Sequence, residues 1–412
     1  MSPPASWNPA LLGFECLACG GLVVAEDVAA HPVCPACAQP LVARYDLPRV
    51  AAAVSRPGLD RFGHDLWRWR AVLPFAPEVE PVRLGEGGTP LLPLPGLADE
   101  LGIRSLWLKD EAGNATQSFK ARGLAVAVTA ARLLGQRAIA LPSAGNAGSA
   151  AAAYAAAAGM RCRITVPADT PPAFLLEQQA LGAEVRLVPG TIAEAGKSLR
   201  DWASAPEWWN VATFREPFRL EGKKTLGYEI AEQLGWRLPD VIFYPTGGGT
   251  GLVGMWRAFE EMLALGWVEG ALPRLVSVQA AGCAPIVRAH AAGASRAEPW
   301  EGARTLASGL RVPSPFADRL ILGGVRATRG AAVAVSEENM LDGMVELAAR
   351  AGCFACPEGG ATLAALRQMR AADQLGEGDE VVIYNTGSGL KYLEAWQLAT
   401  ARQRDRPQGD RA

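Results

Sequence analysis

Residues 241–254 read VIFYPTGGGTGLVG, an apolar run followed by a glycine-rich loop, and the helix-favouring MWRAFEEMLALG comes next. Apolar runs of this length favour strands that are buried on both faces of a parallel sheet. Consecutive glycines let backbone N–H groups converge at a helix start, where the helix dipole also favours an anion. The stretch predicts a strand, a phosphate-binding loop and a helix. A loop whose glycines only permit close packing is the simpler alternative.

The same alternation of short apolar runs and helical stretches continues along the chain. The predicted strands are LWL, AIAL, RITV, VRLV, VIFY, LVSV and VVIY. The helical stretches between them include GSAAAAYAAAA, PAFLLEQQALG, EGKKTLGYEIAEQLG and ENMLDGMVELAAR. This order predicts an α/β fold with mainly parallel sheets, in which ligands bind beyond the carboxyl ends of the strands.

The bulk composition favours a globular protein that acts on a small molecule. The chain has 412 residues, 50% of them hydrophobic, and a formal net charge of −2. Without a basic field, a nucleic-acid partner is not expected. No apolar run reaches the roughly 18 residues of a membrane span, and no secretory leader is recognisable, so we expect no membrane partner and a cytoplasmic location.

The glycine-rich loop fits a phosphate better than a dinucleotide. Gly249, Gly251 and Gly254 have the spacing of a dinucleotide fingerprint, but the next strand ends in Gln279 and Ala280 without an acidic residue for a ribose. Two further loops follow predicted strands: SAGNAGSA at 143–150 and NTGSGLK at 385–391. Asn146 in the first of them is, taken alone, more often a cap residue than a ligand.

Lys120 lies in NATQSFKARG, residues 114–123, next to the start of a predicted helix. The positive end of a helix dipole disfavours a cation there, and Phe119 and Arg122 add to that effect. A neutral lysine amine is a nucleophile that forms a Schiff base with an aldehyde. The simpler alternative is a solvated lysine on a helix.

The motifs SFKARG, SAGNAGSA, GGGTG and TGSG, in this order, resemble those of the fold-type-II pyridoxal phosphate enzymes, the group of tryptophan synthase β, threonine dehydratase and threonine synthase. The resemblance covers about residues 80–395. It is greatest to the threonine synthases, through EGGTPLLPL at 86–94, RLEGKKTLGYEI at 219–230 and PEGGATLAAL at 357–366. It implies a tryptophan synthase β-like fold with two parallel-sheet α/β domains.

The resemblance also implies roles for individual residues. Lys120 would bind the aldehyde of pyridoxal phosphate, Asn146 the ring hydroxyl and Thr386 the pyridine nitrogen. The cofactor phosphate would lie on the loop formed by Gly247, Gly248, Gly249, Thr250 and Gly251. A hydroxyl at the ring nitrogen would leave it largely unprotonated, which favours controlled elimination and replacement chemistry.

The reaction implied converts O-phospho-L-homoserine and water to L-threonine and phosphate. Its carboxylate would bind at Ser143, Ala144, Gly145 and Asn146. Arg219 is the candidate for the leaving phosphate, with Lys223 and Thr89 as weaker ones.

One position departs from the family pattern. Threonine synthases of this type tend to have Asn-Pro-x-Arg where this chain has Glu216, Pro217, Phe218 and Arg219. A carboxylate beside a bound phosphate is repulsive by about 1 kcal/mol or more. The substrate therefore stays open, with a threonine or serine dehydratase and a cysteate synthase-like enzyme as alternatives. A catalytically inactive sensor is a third class, which the intact Lys120 disfavours.

Four of the eight cysteines, Cys16, Cys19, Cys34 and Cys37, form two CxxC pairs with the spacing of a four-thiolate zinc ribbon. Four thiolates leave no open position on the metal, so structural zinc is expected, with His31 as a possible substitute ligand. The alternative is a degenerate ribbon without metal.

The sequence predicts four regions: a ribbon at 1–47, an arm with part of the large domain at 48–113, a small α/β domain at 114–215 and the large domain at 216–412. By family likeness, a homodimer is expected.

Overall fold

The structure is a computed structural model that describes residues 6–56, 58–59 and 63–405. Its strands are β1 (Leu11–Glu15), β2 (Leu22–Val23), β3 (Val42–Tyr45), β4 (Leu91–Pro93), β5 (Ser105–Asp110), β6 (Ala138–Pro142), β7 (Arg161–Pro167), β8 (Glu184–Val188), β9 (Trp208–Asn210), β10 (Val241–Pro245), β11 (Arg274–Ala280), β12 (Ala331–Val335) and β13 (Glu380–Asn385).

The α-helices are α1 (Leu47–Ala53), α2 (Pro95–Leu101), α3 (Lys120–Leu133), α4 (Asn146–Ala157), α5 (Pro172–Ala180), α6 (Ile192–Trp202), α7 (Phe218–Gln233), α8 (Thr250–Ala264), α9 (Pro285–Ala291), α10 (Asp318–Ala327), α11 (Glu337–Ala351), α12 (Pro357–Ala371) and α13 (Leu393–Asp405). Among the residues described, no helix is long and apolar enough to cross a membrane.

The chain folds into two compact units. The first comprises Met1–Gly88, Asn114–Leu238 and Gly248–Leu272. It contains the small antiparallel sheet β2-β1-β3, called the ribbon below, and the parallel sheet β8-β7-β6-β9. Helices α7 and α8 pack in this unit, although they fall in the range 216–412 that the sequence assigned to the large domain.

Glycines allow the helices α3, α7 and α8 of the first unit to pack in close contact. A Cβ at Gly123 of α3 would lie 2.9 Å from the carbonyl oxygen of Arg219, in the first turn of α7. A Cβ at Gly254 would lie 2.8 Å from the carbonyl carbon of Lys223. Since both glycines are near the helix starts, the N-terminal turns of the three helices lie together.

The second unit comprises Thr89–Gly113, Pro239–Gly247 and Pro273–Ala412. Its sheet has the order β12-β11-β10-β13-β5-β4, and only β4 runs antiparallel to its neighbour. The central strand β13 is buried at every residue, with α2, α11 and α12 contributing apolar side chains to the same core. Burial on both faces explains why these strands are continuous apolar runs.

The predicted fold class is confirmed, as are all seven predicted strands and the four quoted helical stretches. The strands that the sequence did not predict are the ribbon strands and β4, β9 and β12. Most of them have two to four residues, too few for a periodic pattern, while β12 reads AAVAV and its alanines fit a helix equally well.

Candidate functional site

Lys120 is the first residue of α3, as the sequence predicted from the helix-favouring run that follows it. Its side chain is partly buried, and its Nζ lies 4.5 Å from the centre of the Phe119 ring. The turn just before it is strained: Thr116 and Gln117 have φ angles of 52° and 51°, in the left-handed region. Such strain costs about 1–2 kcal/mol per residue and often occurs beside functional groups.

The cation predicted to act on Lys120 is paired with a carboxylate. Arg122 is fully buried and forms a two-pronged ion pair with Glu229, at 2.9 and 3.0 Å, so its charge is largely neutralised. A second lysine, Lys223, has its Nζ 4.1 Å from the centre of the same Phe119 ring. That ammonium also donates to the backbone carbonyl of Phe119, which makes it a poorer phosphate ligand than predicted.

Arg219 lies in the first turn of α7 and is 1% exposed. Its Nη1 donates to the carbonyl of Val211 at 2.7 Å, whereas its Nε and Nη2 have no hydrogen-bond partner within the described ranges. Burial lowers the pKa of this guanidinium to about 10, against the opposing effect of Glu216. Two unsatisfied buried donors are costly, so the site fits an anion that would accept from them.

Glu216 caps the helix that carries Arg219. Its carboxylate accepts from the backbone N–H of Phe218 at 2.6 Å and of Arg219 at 3.1 Å. Burial raises its pKa to about 7, although Arg219 and these backbone donors oppose the rise. The residue that the sequence could not reconcile with a phosphate therefore satisfies the helix start and is partly protonated near neutral pH.

The glycine-rich loop leads into α8, which begins at Thr250 after Gly249 with a φ of 82°. The first intrahelical bond joins Val253 N–H to the Gly249 carbonyl. The amides of the preceding residues in this turn are thus available by helix geometry for an anion. Close packing also requires a glycine in this loop, because a Cβ at Gly248 would lie 2.7 Å from Thr213 Cγ2. The close approach therefore accounts for Gly248, and phosphate binding by this loop stays a prediction.

The loop at 143–146 precedes α4, whose first residue is Asn146. The Ser143 hydroxyl accepts from Gly148 N–H at 2.8 Å and from Gly145 N–H at 3.2 Å, so it caps this helix. Ala144 and Gly145 lie in the loop itself. The first unit thus contains Lys120, this loop, Arg219, Lys223 and residues 248–251.

The second unit contains Thr386, Gly247 and Thr89. Thr386 follows β13 and is buried, with its hydroxyl 3.7 Å from the Sγ of Cys356. Thr89 donates to the Glu111 carboxylate at 2.6 Å, which weakens it further as a phosphate ligand. Gly247 packs against the backbone of Gly309, with no room for a side chain.

Sequence reasoning missed Glu358, in the first turn of α12, although it lies in the quoted PEGGATLAAL. One carboxylate oxygen accepts from Gly309 N–H at 2.8 Å and from the Tyr392 hydroxyl at 2.9 Å. The other, Oε2, is buried without a hydrogen-bond partner in the part of the chain described. An acidic residue in a first helical turn is ordinarily explained by the helix dipole, so nothing in the sequence singled out Glu358.

The four cysteines of the two CxxC pairs come together in the ribbon. Their Sγ atoms all lie within 4.8 Å of one another, with 3.5 Å between Cys16 and Cys37 and between Cys19 and Cys34. A tetrahedral zinc ion with bonds of about 2.3 Å would separate its sulfur ligands by about 3.8 Å, which these distances fit. His31 is not part of the cluster.

One of these thiols is predisposed to bind a cation. Burial raises the pKa of Cys34, but hydrogen bonds from the backbone N–H groups of Cys37 and Ala36 outweigh it and lower the pKa to about 7. A metal ligand must be a thiolate, so the shift at Cys34 favours binding, whereas burial raises the pKa of Cys16 and opposes it.

Comparison with known proteins agrees with this geometry. Residues 82–387 match the family described as pyridoxal-phosphate dependent enzyme. The chain is 32% identical over 352 residues to the threonine synthase of Methanocaldococcus jannaschii, covering 85% of this chain and 86% of that protein. It is 33% identical over 379 residues to the threonine synthase of Methanosarcina acetivorans, covering 92% of each.

Among solved structures, the diaminopropionate ammonia lyase of Escherichia coli superposes with a TM-score of 0.67 at 19% identity. The alignment covers 80% of this chain and 90% of that chain. This likeness concerns the fold alone.

Proposed function

This chain belongs to the pyridoxal-phosphate dependent enzymes, and on that premise we propose that it is a threonine synthase-like lyase that converts O-phospho-L-homoserine and water to L-threonine and phosphate. The observation that carries the phosphorylated substrate is the pair of unsatisfied guanidinium donors of Arg219, buried where three helix starts meet. Helix N-termini and a forked guanidinium are the groups that bind phosphate best.

We propose the cofactor-binding residues from the resemblance of their motifs to those of the family. Lys120 would hold pyridoxal phosphate, with the amides of 248–251 at its phosphate, Asn146 at its ring hydroxyl and Thr386 at its ring nitrogen. When bound, the cofactor supplies an electron sink that stabilises negative charge on the substrate carbons.

The residues of the chain supply positioning and proton transfer. With its amine free, Lys120 would remove the proton from the substrate Cα and return protons to the carbon chain. The dipole of α3 and the neighbouring ammonium of Lys223 disfavour a second positive charge there, so the amine is kept available as a base.

The leaving phosphate would be held by Arg219. Its two donors and the dipole of α7 bind the phosphate group of the substrate and of the departing product alike. Glu216, protonated in part at neutral pH, would repel the phosphate less than a fully ionised carboxylate. The reaction then completes by addition of water at Cβ.

A substrate panel tests this proposal. The purified enzyme with pyridoxal phosphate is offered O-phospho-L-homoserine, O-phospho-L-serine, L-threonine and L-serine. We expect threonine and phosphate in equal amounts from the first compound alone. Turnover only of phosphoserine, threonine or serine would overturn the substrate and leave the cofactor in place.

Two variants separate the cofactor from the phosphate site. Lys120→Ala should lose its activity and the absorbance band of the protein-bound cofactor. A colourless wild-type protein that cannot be reconstituted with pyridoxal phosphate would refute the cofactor.

Arg219→Met should raise the KM for phosphohomoserine by about 30- to 100-fold, the effect of losing charge-assisted hydrogen bonds of about 2–3 kcal/mol. The exposed Arg161→Met is the matched control, with an unchanged KM expected.

We also propose structural zinc in the ribbon, supported by the sulfur geometry of the four cysteines.

A further inference from the structure

The ribbon packs directly on the first turn of α7. Phe14 of β1 is fully buried and meets the Phe218 ring edge-on, with centroids 5.3 Å apart. Trp7 stacks on the same ring at 5.8 Å, and Phe75 lies at 6.4 Å. Since Phe218 precedes Arg219, this aromatic cluster fixes the turn from which the guanidinium extends.

A second contact joins the ribbon to the same turn of α7. The hydroxyl of Tyr45, the last residue of β3, donates to Glu221 at 2.7 Å. Glu221 pairs with Lys224 at 2.8 Å, and Lys224 pairs with Glu261 of α8 at 2.9 Å. Lys224 also lies over the Tyr45 ring, 4.4 Å from its centre.

This polar network is almost wholly buried: the side chains of Lys224, Glu221 and Glu261 are 1%, 2% and 7% exposed. Burial raises the pKa of Glu221, with Lys224 opposing it. Breaking one member of such a network leaves the others unsatisfied in a low-dielectric interior. Loss of the Tyr45 hydroxyl would therefore disturb the pairing of Glu221 and Lys224 at the start of α7.

Both contacts depend on strands that the cysteines connect. Phe14 is two residues before Cys16, while Cys34 and Cys37 precede the strand β3 that ends at Tyr45. A module of about 35 residues cannot bury enough apolar surface to hold these strands by itself. A metal bound by all four thiolates would therefore fix Phe14 and Tyr45 in place.

We propose that the metal-bound ribbon positions the first turn of α7 through Phe14 and Tyr45, and so sets the affinity of Arg219 for phosphate. This inference rests on the proposed function, in which Arg219 binds the substrate phosphate. Phe14 and Tyr45 are positioning residues, since each acts through a neighbour on α7. Loss of the metal weakens phosphate binding while the cofactor stays bound at Lys120.

The first test removes the metal from the enzyme that holds pyridoxal phosphate, with metal analysis to show the removal. We expect the inhibition constant of inorganic phosphate and the KM for phosphohomoserine to rise about 3- to 10-fold, with kcat within about 2-fold and the cofactor absorbance unchanged. Amide hydrogen exchange in residues 216–222 should become faster. Unchanged phosphate affinity and exchange would overturn the inference.

Variants that keep the metal provide the second test. Tyr45→Phe removes only the hydroxyl, and Phe14→Leu only the ring contact; each should raise the phosphate inhibition constant with little effect on kcat. Leu12→Ala is the matched control, because Leu12 lies in β1 but is 53% exposed. An equal loss of phosphate affinity in Leu12→Ala would mean that any destabilising change in the ribbon has this effect, and would refute positioning of α7 by Phe14 and Tyr45.

Arg219→Met separates the two proposals. Suppose that Arg219→Met abolishes inhibition by phosphate, while Tyr45→Phe and Phe14→Leu leave the inhibition constant of phosphate unchanged. The proposed function then stands, and the positioning of α7 by the ribbon is refuted. If Arg219→Met leaves phosphate inhibition unchanged, the phosphate site is wrong, and the exchange rates of 216–222 still decide whether the ribbon orders α7.

Discussion

Two lysines, Lys120 and Lys223, lie over the ring of Phe119 at the start of α3. The Nζ atoms of Lys120 and Lys223 lie 4.5 and 4.1 Å from its centre. The sequence pointed to Arg122 as the cation beside Lys120, but Glu229 neutralises that guanidinium. A contact between residues about a hundred positions apart could not be foreseen from local sequence.

Replacement of Gln117 by glycine is expected to stabilise the protein. Gln117 is exposed and holds a φ of 51°, a conformation that costs a side-chain-bearing residue about 1–2 kcal/mol and glycine almost nothing. Gln117→Gly should therefore raise the thermal unfolding midpoint. Gln397→Gly, the same change at an exposed site inside α13, should lower it by the usual helix cost of glycine, about 1 kcal/mol. Equal effects of the two changes would contradict the strain argument.

Glu216 is expected to make stability depend on pH. Its pKa in the folded protein is about 7, above the ordinary value of 4.5, so the folded state binds its proton more tightly than the unfolded state. Its contribution is full below pH 4.5 and is lost as pH rises through about 7, by a free energy on the order of 3 kcal/mol.

The measurement compares unfolding midpoints from pH 4.5 to 8 for the wild type and Glu216→Gln. The variant should lose less stability across this range, because glutamine has no proton to release. Glu207→Gln, at an exposed position, serves as control and should follow the wild type. If all three curves run parallel, Glu216 does not titrate as described.

At the scale of elements, the site depends on how closely three helices approach one another. Glycines at positions 123, 222, 227 and 254 leave no space for side chains between α3, α7 and α8. Their N-terminal turns carry Lys120, Arg219 and the end of the glycine-rich loop. The dipole at each of these helix starts favours an anion nearby.

Gly227→Ala is expected to destabilise this packing. The added Cβ would lie 2.9 Å from the Cβ of Ala258 and 3.3 Å from the Cα of Met255, neither of which can move freely. Overpacking of this kind costs about 1–3 kcal/mol, so the thermal midpoint should fall. Gly376→Ala, where the new methyl group would meet nothing within 4 Å, should be neutral or slightly stabilising. An unchanged thermal midpoint in Gly227→Ala would show that α7 and α8 can move apart at no cost in free energy.

At the scale of the whole molecule, the chain alternates between its two units. Thr89–Gly113 and Pro239–Gly247 belong to the second unit, although the segments on either side of each belong to the first. The glycine-rich loop itself changes units between Gly247 and Gly248. Each unit has its own sheets, and the ribbon forms part of the first.

The ribbon is expected to bind about one zinc ion per chain, since four thiolates complete a tetrahedral site. Cys16→Ala should lose the metal and make the ribbon sensitive to proteolysis, while the cofactor absorbance remains. Cys162→Ala, a buried cysteine outside the cluster, should retain the metal. Full metal content and unchanged proteolysis in Cys16→Ala would show that the site is not the one described.

The sequence by itself determined the fold class, because continuous apolar strands and the helices between them are local patterns that burial on both faces imposes. It also determined the motifs that identify the family, since a lysine at a helix start and a glycine-rich loop are each recognisable within about ten residues. The zinc-ribbon prediction likewise depended only on cysteine spacing.

Only the tertiary structure decided what neighbours these residues have. From the sequence alone, Glu216 was expected to repel a phosphate. In the folded protein it caps the start of α7, and burial raises its pKa to about 7. Arg219 is almost fully buried, and two of its donors have no hydrogen-bond partner among the described residues. Burial and pairing depend on segments distant in the chain, and so the electrostatics of a site, unlike its motifs, is a property of the folded protein.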